Sequence, residues 1–337
     1  MKETLFGSAL RRSALVISLA LLVAFSASGQ SLPPAEADVA SRLASSPRHG
    51  EWVRYDAGMG DMVDAWVVYP ERKDKAPVVV VIHEIFGLND WARAVADQYA
   101  AEGFIAIAPD FLSGKASDGK GGTAALGGAD AARAAMGRLD PAEVLRRLDG
   151  AAAYATSLPS ATKAYGAVGF CWGGAISFAW ATRQPKLGAA VVYYGTSPAT
   201  AALASVQAPV LGLYGGADAR VNATIPEAKA ELDRLGKRYE SEIYDGAGHA
   251  FLRQQSGQNG ANLKASQAAW PRSVSFLREN LETKGMSAVN AEDALLAAFS
   301  AADDCLDACY MEESAPAVAQ TAVALAADSL TVAHVHH

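Results

Sequence analysis

The chain has 337 residues, of which 51% are hydrophobic and 19% charged, so it can bury a sizeable core. Its 29 basic and 36 acidic residues give a net charge of −7, and no basic cluster is larger than a pair. This balance argues against a nucleic-acid partner, while the length leaves open one large α/β domain or two small ones.

The first 29 residues resemble a secretory signal peptide. A basic start (Lys2, Arg11 and Arg12) precedes an apolar stretch over 13–25, and small residues follow at Ala27 and Gly29. The alternative is an uncleaved membrane anchor, but this stretch is shorter than the ~20 apolar residues that cross a bilayer. The sequence therefore predicts export to the periplasm or beyond the cell, with no stable membrane insertion after cleavage.

Strand and helix patterns alternate after a lead-in linker at 30–49. The first two strands alternate in polarity and are expected to pair antiparallel at a sheet edge. The third is a continuous β-branched run, typical of a strand covered on both faces. In chain order the patterns predict strands at 51–57, 62–70 and 77–84, a helix at 91–103, a strand at 104–110, a helix at 140–158, a strand at 165–170, a helix at 173–184, strands at 188–195 and 208–215, a helix at 225–236, a strand at 238–245 and a helix at 262–280 interrupted by Pro271.

Strands that alternate with helices indicate parallel βαβ units. The fold class is therefore α/β, a doubly wound, mostly parallel sheet with helices on both faces, formed by one domain over 50–282. Helix caps are predicted at Asn89 or Asp90 and at Asp140, with Glu143 in the position of a capping box.

Two regions lie outside the alternation. Residues 111–139 are rich in Gly and Ala and connect a strand to a helix, near the sheet edge where long loops often cover a site. Residues 283–337 form an Ala-rich appendage that contains the pair Cys305 and Cys309 and ends in a cluster of histidines.

The third cysteine, Cys171, lies in GFCWG, between a predicted strand and a predicted helix. A glycine two residues to either side allows a sharp strand-to-helix turn that lifts the central side chain above the sheet. The amino end of the helix would lower the thiol pKa and stabilise an oxyanion. The alternative is a small buried core residue, but such a residue needs no flanking glycines.

A thiol nucleophile needs a base and an acid that orients the base. At such corners these partners follow in the order acid, then histidine, each after a later strand. Asp218 follows the strand that ends at Tyr214, and His249 follows the strand that ends near Tyr244. Asp218 could instead be a turn residue, and His249 a structural loop histidine.

Glu84 ends a central strand, where the following loop would supply one amide of an oxyanion hole. A carboxylate beside the thiol disfavours a thiolate, so we expect a resting thiol that Glu84 hydrogen-bonds and deprotonates. The alternative is an acid at a strand end that pairs with a nearby arginine.

The motifs HEIFGL, APDF, GFCWGG, GGAD and GAGHAF, in this order over residues 50–282, resemble the dienelactone hydrolase family of α/β hydrolases. The resemblance implies an α/β-hydrolase fold and cleavage of a lactone such as carboxymethylenebutenolide. It also implies roles for the residues named so far: Cys171 as nucleophile, His249 as base, Asp218 as orienting acid and Glu84 as thiol activator.

Further roles follow only from the resemblance. The amides of Ile85 and Trp172 would form the oxyanion hole, and Arg253 would bind a substrate carboxylate. The family's second carboxylate-binding arginine would come from the Gly/Ala-rich insertion, where Arg133 and Arg138 are candidates. Its loss could change the preferred substrate.

Two alternatives to a dienelactone hydrolase-like enzyme stay open. One is an exported carboxylesterase or thioesterase of broad specificity. The other is a non-catalytic scaffold whose tail binds metal through CLDAC and HVHH. No dinucleotide, phosphate-loop or zinc-protease motif occurs in the chain, so we expect no cofactor or catalytic metal, and a small-molecule ester or lactone as the binding partner.

Overall fold

The computed structural model of the protein describes residues 31–282. The predicted signal peptide, the C-terminal appendage, Cys305 and Cys309 lie outside this range. Within it, no helix combines the length and the apolar character needed to cross a membrane.

Eight strands form one sheet in the order β1-β2-β4-β3-β5-β6-β7-β8. The two antiparallel pairs are β1 with β2 and β2 with β4, and every other neighbouring pair is parallel. The predicted edge hairpin and mostly parallel sheet are thus confirmed. The strands are β1 Gly50–Asp56, β2 Met62–Val68, β3 Ala76–Ile82, β4 Ile105–Pro109, β5 Ala161–Phe170, β6 Ala190–Tyr193, β7 Val210–Gly215 and β8 Tyr239–Tyr244.

Helices cover both faces of this sheet, and three short 3-10 helices accompany them. The helices are α1 Val39–Ala44, α2 Asp90–Ala101, α3 Ala129–Met136, α4 Pro141–Ser157, α5 Trp172–Ala181, α6 Thr200–Leu203, α7 Ala219–Asn222, α8 Ile225–Arg234 and α9 over 261–282. The 3-10 helices are Glu36–Asp38, Thr123–Leu126 and Gln258–Gly260.

The central strand β3 shows why its sequence is apolar without alternation. Val78 and Val80 pack in a cluster with side chains of α4, α5 and α8. Val79 and Val81 point to the opposite face and pack with side chains of α2 and α9. Successive side chains of a strand face opposite sides, so a sheet covered on both faces needs apolar residues at every position.

The predicted helix caps at Asn89 and Asp140 are confirmed. Asn89 accepts a hydrogen bond from the Ala92 amide at 3.0 Å, and Asp140 accepts one from Ala142 at 3.0 Å. Glu143 occupies the predicted capping-box position, but its side chain forms ion pairs with Lys115 and Arg147 at the surface of α4.

The predicted interruption at Pro271 is wrong, because α9 is continuous through that residue. Proline removes one helical hydrogen bond and costs about 3 kcal/mol. Trp270, Val274 and Leu277 are fully buried in the core cluster on this face, and burial of such side chains contributes ~1.5–3 kcal/mol each. Tertiary packing therefore outweighs the local preference.

The lead-in and the insertion both contain structure that sequence patterns did not predict. In the lead-in, α1 packs on α2. In the insertion, the Thr123 hydroxyl donates to Asp110 at 2.6 Å and accepts from the Leu88 amide at 3.0 Å. Both segments are thereby held near the loop that follows β3.

Candidate active site

The predicted corner between β5 and α5 is present, and Cys171 occupies it with φ 56° and ψ −115°. L-residues with a side chain avoid this region unless the surroundings enforce it. A Cβ on Gly169 would lie 1.9 Å from the Gly173 carbonyl oxygen, and one on Gly173 would lie 2.3 Å from the Ile82 oxygen. The glycines therefore allow α5 to pack directly on the sheet, as the sequence predicts.

The thiol of Cys171 is neutral at ordinary pH. Burial, and then the charge of Glu84, raise its pKa to about 11. The Trp172 amide at the start of α5 lowers the pKa, as predicted for a helix amino end, but it does not outweigh the other two effects. The helix amino end thus lowers the thiol pKa as expected, and the larger effects of burial and of Glu84 leave a resting thiol. The expected hydrogen bond between this thiol and Glu84 is not present among the described residues.

His249 and Asp218 form a close pair after β8 and β7. Asp218 Oδ2 lies 2.5 Å from His249 Nδ1, and Asp218 Oδ1 accepts a hydrogen bond from the Val221 amide at 3.4 Å as the cap of α7. Because an ionised carboxylate only accepts hydrogen bonds, Nδ1 carries the proton and Nε2 is left with a free lone pair. Within residues 31–282, no hydrogen bond joins this imidazole to the Cys171 sulfur.

Glu84 is buried, and its two carboxylate oxygens have different hydrogen-bonding surroundings. Oε2 accepts a hydrogen bond from Arg253 Nε at 2.7 Å, so the alternative of an arginine partner is realised. Oε1 is buried and has no hydrogen-bond partner among the described residues, which leaves it open to a thiol proton. Burial raises the Glu84 pKa to about 7, against the opposing charge of Arg253 and with a smaller contribution from Glu36.

The two predicted oxyanion amides lie at the ends of β3 and β5. The Trp172 amide is the first of α5 and has no intrahelical acceptor. Ile85 lies in the tight turn after β3, in which the Gly87 amide donates to the Glu84 carbonyl at 3.3 Å. The Trp172 amide contacts the Cys171 thiol, whereas the assignment of the Ile85 amide to an oxyanion hole stays a prediction.

His83 lies next to Glu84 and was given no role by the sequence patterns. The Phe111 amide donates to its Nε2 at 3.4 Å, so Nδ1 carries the proton and donates to the Glu84 carbonyl at 2.8 Å. Burial lowers the pKa of His83 and keeps its ring neutral. The Glu84 carbonyl and the Ile85 N–H belong to one planar peptide group, so this hydrogen bond orients and polarises the candidate oxyanion donor. The ring also stacks on Trp172 at 6.0 Å.

Tyr194 is a second residue that the sequence patterns missed. It follows β6 with φ 41°, and its ring contacts the His249 ring edge-to-face at 5.2 Å. Its buried hydroxyl has no hydrogen-bond partner in the described part of the chain. Its position after a parallel strand, between those of Cys171 and Asp218, was the signal that could have identified it.

The candidate carboxylate-binding arginines differ in their surroundings. Arg253 is paired with Glu84 and also with Glu36, whose Oε2 lies 2.6 Å from Nη1. Arg133 lies over the Phe86 ring at 5.8 Å, while Arg253 lies over the same ring at 5.2 Å. The insertion therefore brings Arg133 close to the site loop, whereas Arg138 is exposed with no side-chain partner among residues 31–282.

The site is built at one edge of the sheet. Glu84, Cys171, Asp218 and His249 follow β3, β5, β7 and β8, whose carboxyl ends meet there because these strands are parallel. No group of three or more metal-binding side chains occurs within residues 31–282. The arrangement offers a thiol, an oriented imidazole, a buried carboxylate and two amides. These are the kinds of group that an acyl-transfer reaction requires.

Comparison with known proteins identifies the family of the chain. The family model of the dienelactone hydrolase family matches residues 63–281. A protein of Salmonella typhimurium named "Putative carboxymethylenebutenolidase" is 30% identical over 273 residues, which cover 75% of this chain and 98% of that protein. A protein of the same name from Escherichia coli O157:H7 is 29% identical, with 73% and 94% covered.

A solved structure shows the same architecture. The crystal structure of a protein of Klebsiella pneumoniae, described as "Putative Dienelactone Hydrolase", matches with a TM-score of 0.59 and 26% identity, covering 68% of this chain and 98% of that one. The residues matched by the family model, 63–281, include Glu84, Cys171, Asp218 and His249. The chain is thus a hydrolase with the α/β-hydrolase fold, and it belongs to the dienelactone hydrolase family.

Proposed function

We propose that the protein hydrolyses ester or lactone bonds of small molecules through a thioester on Cys171. The observation that carries this proposal is the strained corner of Cys171, whose thiol pKa responds to the Trp172 amide and to the charge of the buried Glu84 carboxylate. A core cysteine would not need this conformation. The relatives named as carboxymethylenebutenolidases support lactone cleavage as the reaction class.

In the first half-reaction, Glu84 takes the proton of the Cys171 thiol as the sulfur attacks the substrate carbonyl carbon. The amides of Ile85 and Trp172 hold the oxyanion that forms. The carbon–oxygen bond to the leaving group then breaks, and the thiol proton ends on the leaving oxygen. For a lactone, that oxygen stays in the same molecule, so the ring opens and a thioester remains.

In the second half-reaction, water attacks the thioester. His249 takes one water proton through Nε2 and returns it to the sulfur, while Asp218 holds the imidazole and stabilises its charged form. The hydroxyl joins the carbonyl carbon, so the products are a carboxylic acid and the free thiol. Glu84 thus serves acylation and His249 serves deacylation.

The test compares Cys171→Ala and His249→Asn by intact-protein mass spectrometry and by turnover of p-nitrophenyl esters. We expect Cys171→Ala to lose at least about a thousandfold in kcat, since the nucleophile is absent. We expect His249→Asn to acquire the acyl mass and release it slowly. Turnover by Cys171→Ala at the parent rate would contradict the proposal, and so would a His249→Asn protein that never acylates.

We also propose that the protein is exported, on the basis of the signal-peptide pattern in its first 29 residues. The mass of the protein recovered from the periplasm or the medium would show cleavage near residue 29. Full-length protein confined to the cytoplasm would contradict export.

A further inference from the structure

Residues 32–44, here called the N-terminal strap, lie along the loop that carries Arg253. Several hydrogen bonds hold the strap. The Trp91 indole donates to the Pro34 carbonyl at 3.2 Å, the Gln255 amide group donates to the Pro33 carbonyl at 2.9 Å, and the Glu36 amide donates to the Arg253 carbonyl at 3.1 Å. The strap is therefore held in place beside the loop that carries Arg253.

The guanidinium of Arg253 is shared by two carboxylates. Its Nε binds Glu84 Oε2 at 2.7 Å on the buried side, and its Nη1 binds Glu36 Oε2 at 2.6 Å. The side chain of Arg253 is 9% exposed and that of Glu36 is 61% exposed, so Glu36 covers the edge that faces solvent. A solute anion that approaches Arg253 on that edge meets the negative charge of Glu36.

Arg253 is close enough to the thiol for its charge to lower the Cys171 pKa. An anionic group of a substrate bound there would thus lie near the reacting carbonyl. The charge count opposes such binding, because one guanidinium already faces two carboxylates. A third carboxylate at this position would be repelled by the negative charges of Glu36 and Glu84.

We propose that Glu36 acts as a built-in carboxylate on Arg253 and makes the site selective for esters or lactones that carry no charge at that end. The inference rests on the proposed function, because it names the substrate class of that same site. It assigns to the strap a role in specificity, and it separates this chain from an enzyme whose arginine is open to an acidic substrate.

The experiment uses two esters of equal acyl length, p-nitrophenyl pentanoate and mono-p-nitrophenyl glutarate, which differ in a terminal methyl or carboxylate. The variant Glu36→Gln keeps the strap and removes its charge. We expect it to raise the ratio of kcat/KM for the glutarate over the pentanoate about tenfold, equal to ~1.4 kcal/mol, mainly through KM. The gain should shrink at high salt, because Glu36 is exposed.

Asp38→Asn is the matched control. Asp38 is exposed on the same strap, and its side chain makes no ion pair or hydrogen bond with the described residues. This variant loses the same charge and should leave the ratio unchanged. An unchanged ratio in Glu36→Gln would overturn the inference, as would a parent enzyme that prefers the glutarate ester.

Failure of the inference is distinguishable from failure of the proposed function. Cys171→Ala tests the chemistry with the neutral ester alone. If neither ester is hydrolysed, titration calorimetry with glutarate still tests the strap, since Glu36→Gln should bind glutarate about tenfold more tightly than the parent. Equal affinities would overturn the inference.

Discussion

Replacing Glu84 with Gln is expected to make the Cys171 thiol more acidic while turnover falls. The thiol pKa of about 11 lies about two units above the ordinary value of 9.0, with burial as the larger cause and the Glu84 charge as the second. Removing one nearby negative charge is expected to lower a thiol pKa by about one, equal to ~1.4 kcal/mol. In the variant, Arg253 also loses its buried counter-charge, which lowers the thiol pKa further.

A tenfold larger thiolate fraction at pH 7.5 does not give tenfold faster alkylation, because a thiolate of lower pKa is a weaker nucleophile. With a Brønsted coefficient of about 0.45, the rate should rise about threefold. The assay is iodoacetamide labelling at Cys171 across pH, resolved by peptide mass spectrometry. Glu227→Gln, an exposed acid on α8, is the control.

Turnover should change in the opposite direction. The form of Glu84 that accepts a proton is the carboxylate, which dominates above its pKa of about 7. The parent kcat/KM for a neutral ester should therefore rise through about pH 7, and this limb should be absent in Glu84→Gln. An unchanged labelling profile would refute the charge argument. Parent-like turnover would refute the role of Glu84 in activating the thiol.

Three further substitutions test the rest of the site. Asp218→Asn should lower kcat by ~10²–10⁴ with an unchanged circular dichroism spectrum, because the hydrogen bond to the histidine at 2.5 Å fixes its tautomer; a smaller loss would contradict that role. His83→Phe keeps a ring but removes the donor to the Glu84 carbonyl, so kcat should fall about tenfold with KM unchanged, whereas a purely structural role predicts lower stability at normal kcat. Gly173→Ala should lower the free energy of unfolding in urea by ~3 kcal/mol or more, because its Cβ would lie 2.4 Å from the His83 carbonyl oxygen; Gly137→Ala, with its nearest atom at 3.7 Å, is the control and should change it little.

The corner at Cys171 illustrates what local sequence can predict. The flanking glycines indicate positions where a larger side chain would not fit. This steric constraint involves only one strand, one turn and one helix. The same holds for the caps at Asn89 and Asp140, where a side chain bonds an amide two or three residues away. The order of strands and helices could also be predicted from local sequence, because each element has its own pattern of polar and apolar residues.

How far the thiol pKa is raised could not be predicted in this way. A helix amino end lowers a thiol pKa wherever it occurs, but burial and the charge of Glu84 are larger effects, and both depend on packing. Pro271 is a similar case, because the helix continues through it only where α9 packs on the sheet.

By itself, the sequence determined the α/β architecture, the strand-to-helix corner and the order of thiol, acid and histidine. Each strand, corner and loop that carries them could be identified from residues close together in the chain. Only the tertiary structure decided which charges face one another across the site. Glu36 and Arg253 are 217 residues apart in sequence yet form an ion pair. His83 was recognisable as an orienting residue only once its two ring nitrogens had partners. Such contacts depend on how distant segments pack in three dimensions, and no local pattern records them.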